Sequence, residues 1–146
     1  MSAPLHLIKL CVGAQSVEDL TGWIAQRLDE QAAHGLPVEQ VHTTRMTPSR
    51  VDELIHGGSL YWVIKGEVLC RQRLLAIRPF VDADAIRRCH LVLDPHVVRV
   101  APRPSRPFQG WRYLPASDTP ADLDALSTAQ GLPEALQKEL RALGLL

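Results

Sequence analysis

The chain predicts an α+β fold in which a curved, mostly antiparallel sheet of about six strands closes into a small or partial barrel with helices packed around it. Three observations carry this. Between Ser59 and Val100, short apolar or alternating runs follow one another, punctuated by Gly66-Glu67 and Asp94-Pro95. Residues 16–34 and 47–55 instead space their apolar positions for a helix. The chain has 146 residues, 46% of them hydrophobic and 22% charged, enough for one core without disulfides or a structural metal.

Taken in order, Leu5 to Val12 reads as a buried first strand. Ser16 opens a helix, since Ser16 and Asp19 stand at capping-box spacing and Leu20, Trp23, Ile24 and Leu28 recur along one side. Gly35 and Pro37 end it. A strand over Val38 to Met46 follows, and Thr47-Pro48 then forms an N-cap and first-turn pair for a short helix through Ile55, stopped by Gly57-Gly58. Trp23, Ile24, Leu54, Cys89, Leu91 and Leu93 are expected in the core.

Ser59 to Lys65 and Val68 to Arg78 form a hairpin around a two-residue Gly66-Glu67 loop, which sets Lys65 opposite Val68 and Tyr61 opposite Gln72. A slip of one residue would exchange its faces. Arg88 to Leu93 alternates cleanly, and Asp94-Pro95 turns the chain into His96 to Val100. Ala101 to Pro115, with four prolines, is expected as a long extended loop. Helical signals resume at Thr119-Pro120 and Leu132-Pro133, where Leu136, Leu140 and Leu143 make an amphipathic stripe. The whole reads as a single domain whose C-terminal helical segment covers about 119–146.

Lys9 sits inside the first apolar run, where a secretory signal would carry its charge ahead of a longer apolar core, so the expected location is the cytoplasm. No run approaches the roughly 18 apolar residues of a membrane helix, so no membrane partner is expected. Cys11, Cys70 and Cys89 are odd in number and far apart, which points to reduced, buried thiols. No Cys-x-x-Cys pair, phosphate-loop glycine pattern or His-x-x-x-His pair is present, and no metal or cofactor is expected.

Zero net charge hides an asymmetry. Leu60 to Tyr113 holds ten Lys or Arg against four Asp or Glu, a net of +6, while the segments before and after it each carry −3. Such a middle attracts phosphates locally, unless the acidic flanks fold back to neutralise it.

The stretches HLIKLCVGAQS, GGSLYWVIKGEVLCRQRLLAI and RPFQGWRYL resemble an uncharacterised bacterial family, domain of unknown function 1489, from about Leu5 to about Leu123. That resemblance implies no activity. The order of helix, glycine-rich turn and successive strands is also similar to the PUA-like group with its ASCH and EVE domains, which implies a small barrel and binding of RNA or modified bases. The Gly-x-Lys-x-x-Glu-x-Arg run of ASCH domains is absent.

The candidate ligand-binding set joins Tyr61, Trp62, Lys65, Arg71 and Arg73 from the hairpin with Arg103, Arg106, Phe108, Trp111, Arg112 and Tyr113 from the proline-rich loop. Cations for phosphates and flat rings for unstacked bases are what RNA or a single strand needs. The same aromatics equally suit a core, with Trp111 a clamp. A second reading is a small enzyme acting on a phosphorylated or carboxylated metabolite, drawing on His42, Arg45, His90, Asp94 and His96, which no spacing pairs. A third is a protein-interaction module that uses the C-terminal helix.

Overall fold

The computed structural model describes residues 3–123 and residue 144. Its elements are β1 (Leu5–Leu10), α1 (Val17–Ala33), β2 (Gln40–Thr44), α2 (Val51–Ile55), β3 (Ser59–Ile64), β4 (Glu67–Val81), β5 (Arg87–Leu93), β6 (Val98–Pro104) and β7 (Trp111–Pro115). A short 3-10 turn, Ala116–Asp118, follows. The strands form one seven-stranded sheet in the order β2-β5-β4-β3-β1-β7, with β6 also paired to β4.

The long β4 organises this sheet. Its first half pairs with β3, and the partners on its other edge are β5 along Leu74–Val81 and then β6 along Glu67–Arg71. Adjacent backbone groups show the two edges, since Leu74 donates to Gly58 O while Arg73 O accepts from Asp94 N. Register shifts interrupt all three pairings of β4, and such bulges bend and twist a strand. All pairs are antiparallel except β1 with β3.

The expected barrel does not close. Among the described residues β2 and β7 end the sheet as open edges, and side chains span the gap between β7 and the chain just after β2. Trp111 Nε1 donates to Met46 O at 2.9 Å, and Tyr113 Oη accepts from Ser49 N at 3.0 Å.

One face of the sheet packs Leu7, Leu60, Trp62, Leu74, Leu91 and Leu93 against Val17, Leu20 and Ile24 of α1. The other gathers Tyr61, Val63, Val68 and Val100, with Ile8, Phe108 and Leu114 against them. β3 is therefore buried at all six positions. α1 starts as its cap predicts, with Ser16 Oγ accepting from Asp19 N, while Asp19 Oδ2 accepts from Gln15 N. Gly58 enters β3 where no side chain fits, because a Cβ there would lie 2.2 Å from both Leu5 O and Leu54 O.

Five of the six expected core residues are buried, and Trp23 is the exception at 47% exposure. The buried stripe of α1 is narrow, and Trp23 sits at its margin with its indole over Gly13. The hairpin is slipped by one residue. Its loop is Lys65-Gly66, both at positive φ, so Ile64 opposes Glu67, and a register shift between Trp62 and Val63 then sets Tyr61 opposite Arg71 and Leu60 opposite Gln72, one residue from the expected pairs. Positive φ at both positions makes a type I′ turn, whose twist matches the flanking strands.

The short helix begins at Val51, not at the expected Thr47-Pro48 pair, and the Ser49 and Arg50 amides ahead of it donate to Tyr113 Oη. Nor is 101–115 one loop. Ala101–Pro104 finishes β6 and Trp111–Pro115 forms β7, leaving 105–110 as the connection. Prolines are tolerated there because, among the described residues, β7 pairs with β1 alone and β6 has beyond β4 only a short bridge at Val100–Asp122. The helical signals after residue 123, with Leu136, Leu140 and Leu143, lie outside the described residues.

Candidate ligand-binding groove

Two adjoining hollows lie along the open side of the sheet. The first, about 170 Å³, sits between α1 and β2, and its walls include Trp23, Arg27, Gln40, His42 and Trp62. The second, about 520 Å³, lies between the end of β2 and the start of β7, where Lys9, Arg45, Met46 and Trp111 line it. Lys9 joins them, being in register with Trp62 on one neighbouring strand and Trp111 on the other. All three tryptophans of the chain line the groove, and among the described residues its lining holds three cations and no Asp or Glu.

His42 occupies the middle of β2, its ring edge-on to Trp62 with centroids 5.0 Å apart. Burial, and then the positive charges of Lys9 and Arg27, push its pKa down to about 4, so the imidazole is neutral near pH 7. Desolvation also lowers Lys9 from its ordinary range. Gln40 Oε1 and His42 Nε2 are buried without a hydrogen-bond partner. Arg27 reaches across from α1 to donate to Val41 O at 3.3 Å.

The residues singled out from sequence do not gather on one surface. Tyr61 and Trp62 are both buried and belong to opposite faces of the sheet. Trp62 Nε1 donates to Gln72 Oε1 at 2.9 Å, which fixes its indole within the core. Arg71 makes a two-pronged pair with Asp122 and donates to Ser59 Oγ. Arg73 is exposed on β4. At the hairpin end, Lys65 is exposed in the turn, whose Gly66 O accepts from Ser105 N. Arg103 donates to Asp118 O, Arg106 is exposed, and the Arg112 guanidinium lies 4.7 Å over the Phe108 ring. Of the set, Trp62 and Trp111 line the groove.

The acidic flanks do fold back onto the basic middle. Arg71 pairs with Asp122, Arg78 with Glu39 and Arg99 with Glu18, each an acid from outside Leu60 to Tyr113. Much of the +6 is therefore spent within the fold, and the groove cations come instead from the acidic first segment. Among the enzyme candidates, His42 and Arg45 line the groove, whereas His90 stacks on Phe80 at 4.1 Å and Asp94 turns the chain by accepting from His96 N. Lys9, Arg27, Gln40 and Trp23 were not expected at a site, and the one sequence signal among them is a lysine inside an otherwise apolar strand.

The described residues contain no cluster of three or more His, Cys, Asp or Glu able to hold a metal ion, and none of their helices is long and apolar enough to cross a membrane. Cys11, Cys70 and Cys89 are buried free thiols, and burial pushes Cys11 up to about 11 and Cys70 to about 12. A family model described as a protein of unknown function, DUF1489, matches residues 7–146, further along the chain than the expected limit near Leu123. No curated protein and no solved structure matches the chain.

Proposed function

Because the chain belongs to the DUF1489 family of proteins of unknown function, whose description assigns no activity, we propose from the groove itself that the protein is a non-catalytic binding module for a nucleotide-like anion or single-stranded nucleic acid. The observation that carries this reading is the composition of the lining. Arg27, Lys9 and Arg45 supply positive charge along a path that no carboxylate of the described residues lines, and Trp23 and Trp111 present ring surface in its two hollows. Backbone phosphates and flat bases need that combination.

Quenching of tryptophan fluorescence by a mixed-sequence oligonucleotide at two salt concentrations tests it. Binding falls steeply with salt, and Arg27→Ala and Arg45→Ala each weaken it and reduce the salt slope by about one. Absence of quenching and of a gel shift at low salt overturns the reading. So does binding that is lost with Arg106→Ala and Arg112→Ala but survives both groove substitutions.

A second reading, a small enzyme for a phosphorylated or carboxylated metabolite in the same groove, draws support from His42, held neutral beside Lys9 and Arg27. It predicts a phosphorylated or carboxylated small molecule that binds the groove while oligonucleotides do not.

A further inference from the structure

We propose that the α1–β2 hollow is a subsite for a flat heteroaromatic ring bearing an amino group, which Gln40 and His42 read by accepting its N–H hydrogens. This rests on the groove being a nucleotide-binding surface, and it adds which end takes the ring and which rings it takes.

The hollow has the room and the shape. Its volume of about 170 Å³ is more than ten times the roughly 10–15 Å³ that one water requires. The side chains of Leu20, Ile24 and Trp62 make its walls apolar, and Trp23, 47% exposed, stands at the rim over Gly13. The polar atoms supply the chemistry. Gln40 is 6% exposed, yet its Oε1 has no partner, and two residues along the same strand His42 Nε2 has none either. Alternation in a strand sends residues 40 and 42 to one side. Leaving two buried polar atoms unpaired is costly, so a site whose occupant pairs them discriminates strongly.

The amide oxygen of Gln40 is an acceptor, and His42 Nε2 accepts in the neutral tautomer that carries its proton on Nδ1, the one this subsite requires. Burial and the positive charges around His42 favour the neutral ring. An amino group satisfies acceptors, whereas a ring carbonyl at the same position would face them lone pair to lone pair. The phosphate of the same ligand then points along the groove to Lys9 and Arg45, away from the apolar walls.

The test compares cytidine 5′-monophosphate, uridine 5′-monophosphate and ribose 5-phosphate by calorimetry and tryptophan quenching on the full chain. The two nucleotides differ at ring position 4, an amino group in cytosine and a carbonyl in uracil, and at the adjacent N3, which carries a hydrogen only in uracil. Cytidine monophosphate binds about tenfold tighter or more than uridine monophosphate, since its amino group donates to both acceptors, whereas the single N3–H of uracil satisfies one and its carbonyl faces the other. Gln40→Leu and His42→Phe each bring that ratio towards one, with thermal melts reporting whether the variants fold. The wild-type ratio decides the matter even where a variant does not fold. Equal binding of the two nucleotides, or ribose phosphate binding as tightly as cytidine monophosphate, overturns the ring subsite while leaving the anion-binding groove in place. Failure of all three ligands and of the oligonucleotide overturns both.

Discussion

The phenolic oxygen of Tyr113 on β7 accepts from two consecutive backbone amides, Ser49 at 3.0 Å and Arg50 at 3.3 Å. One side chain thereby ties β7 to the chain that follows β2, across a gap that no ladder of the described residues bridges. Tyr113→Phe keeps the ring against Trp111 and removes only the acceptor. It should lower stability by about 1–2 kcal/mol, measured by urea denaturation. An unchanged midpoint would mean that the two edges hold their positions without this tether.

Arg71 and Asp122 give a pH signature. The hydrogen bonds from Arg71, then its charge, hold the Asp122 carboxyl below its ordinary value of 3.8. A carboxyl with a depressed folded pKa contributes stability that is fully present above the unfolded value and is lost as pH falls through the folded one. Asp122→Asn should therefore cost about 1–2 kcal/mol at pH 7, between the exposed and fully buried limits for such pairs. The gap between variant and wild type should narrow below pH 3.8. A gap that is constant down to pH 2 would show that charge is not what the pair contributes.

Gly58 has a steric role. A Cβ at this position would overlap the carbonyl oxygens of Leu5 and Leu54, both backbone atoms that a rotamer change cannot move. Gly58→Ala should destabilise by more than about 4 kcal/mol, among the largest effects a point substitution has. Circular dichroism melts read this directly, and a Tm within a few degrees of wild type would contradict it.

The thiols should be silent in the folded chain. All three cysteines are buried and free, and burial raises their pKa values, so few thiolates are available to react. A thiol reagent at pH 8 should modify none rapidly in the native protein and all three in denaturant. Fewer than three in freshly prepared denatured protein would reveal a disulfide.

Sequence patterning disclosed some elements and concealed others for identifiable reasons. The start of α1 was legible because a cap is local chemistry between Ser16 and Asp19. The inner face of β5 was legible because Cys89, Leu91 and Leu93 alternate with Arg88 and His90, with buried Val92 the one exception. The hairpin register was not, because β3 is buried on both faces and alternation there carries no phase. Strands β6 and β7 were hidden by prolines, which an incompletely paired strand accommodates. The groove was the least legible feature. Lys9, Arg27, Gln40, Arg45 and Trp111 come from separate elements, and only the crossing of β1 between β3 and β7 sets Lys9 between two tryptophans. The +6 middle pointed elsewhere because its charges are partly answered by Glu18, Glu39 and Asp122.

The most direct measurement of the central claim is the set of indole N–H resonances of Trp23, Trp62 and Trp111 in a proton–nitrogen correlation spectrum, followed as a short single-stranded oligonucleotide is added at low salt. A ligand in the groove touches the tryptophans at its ends, so the Trp23 and Trp111 signals should shift together and saturably, with backbone changes at Arg45 and none at the Lys65-Gly66 turn. Unmoved indole signals, or shifts confined to Arg106, Phe108 and Arg112 beside that turn, would contradict the groove as the binding surface.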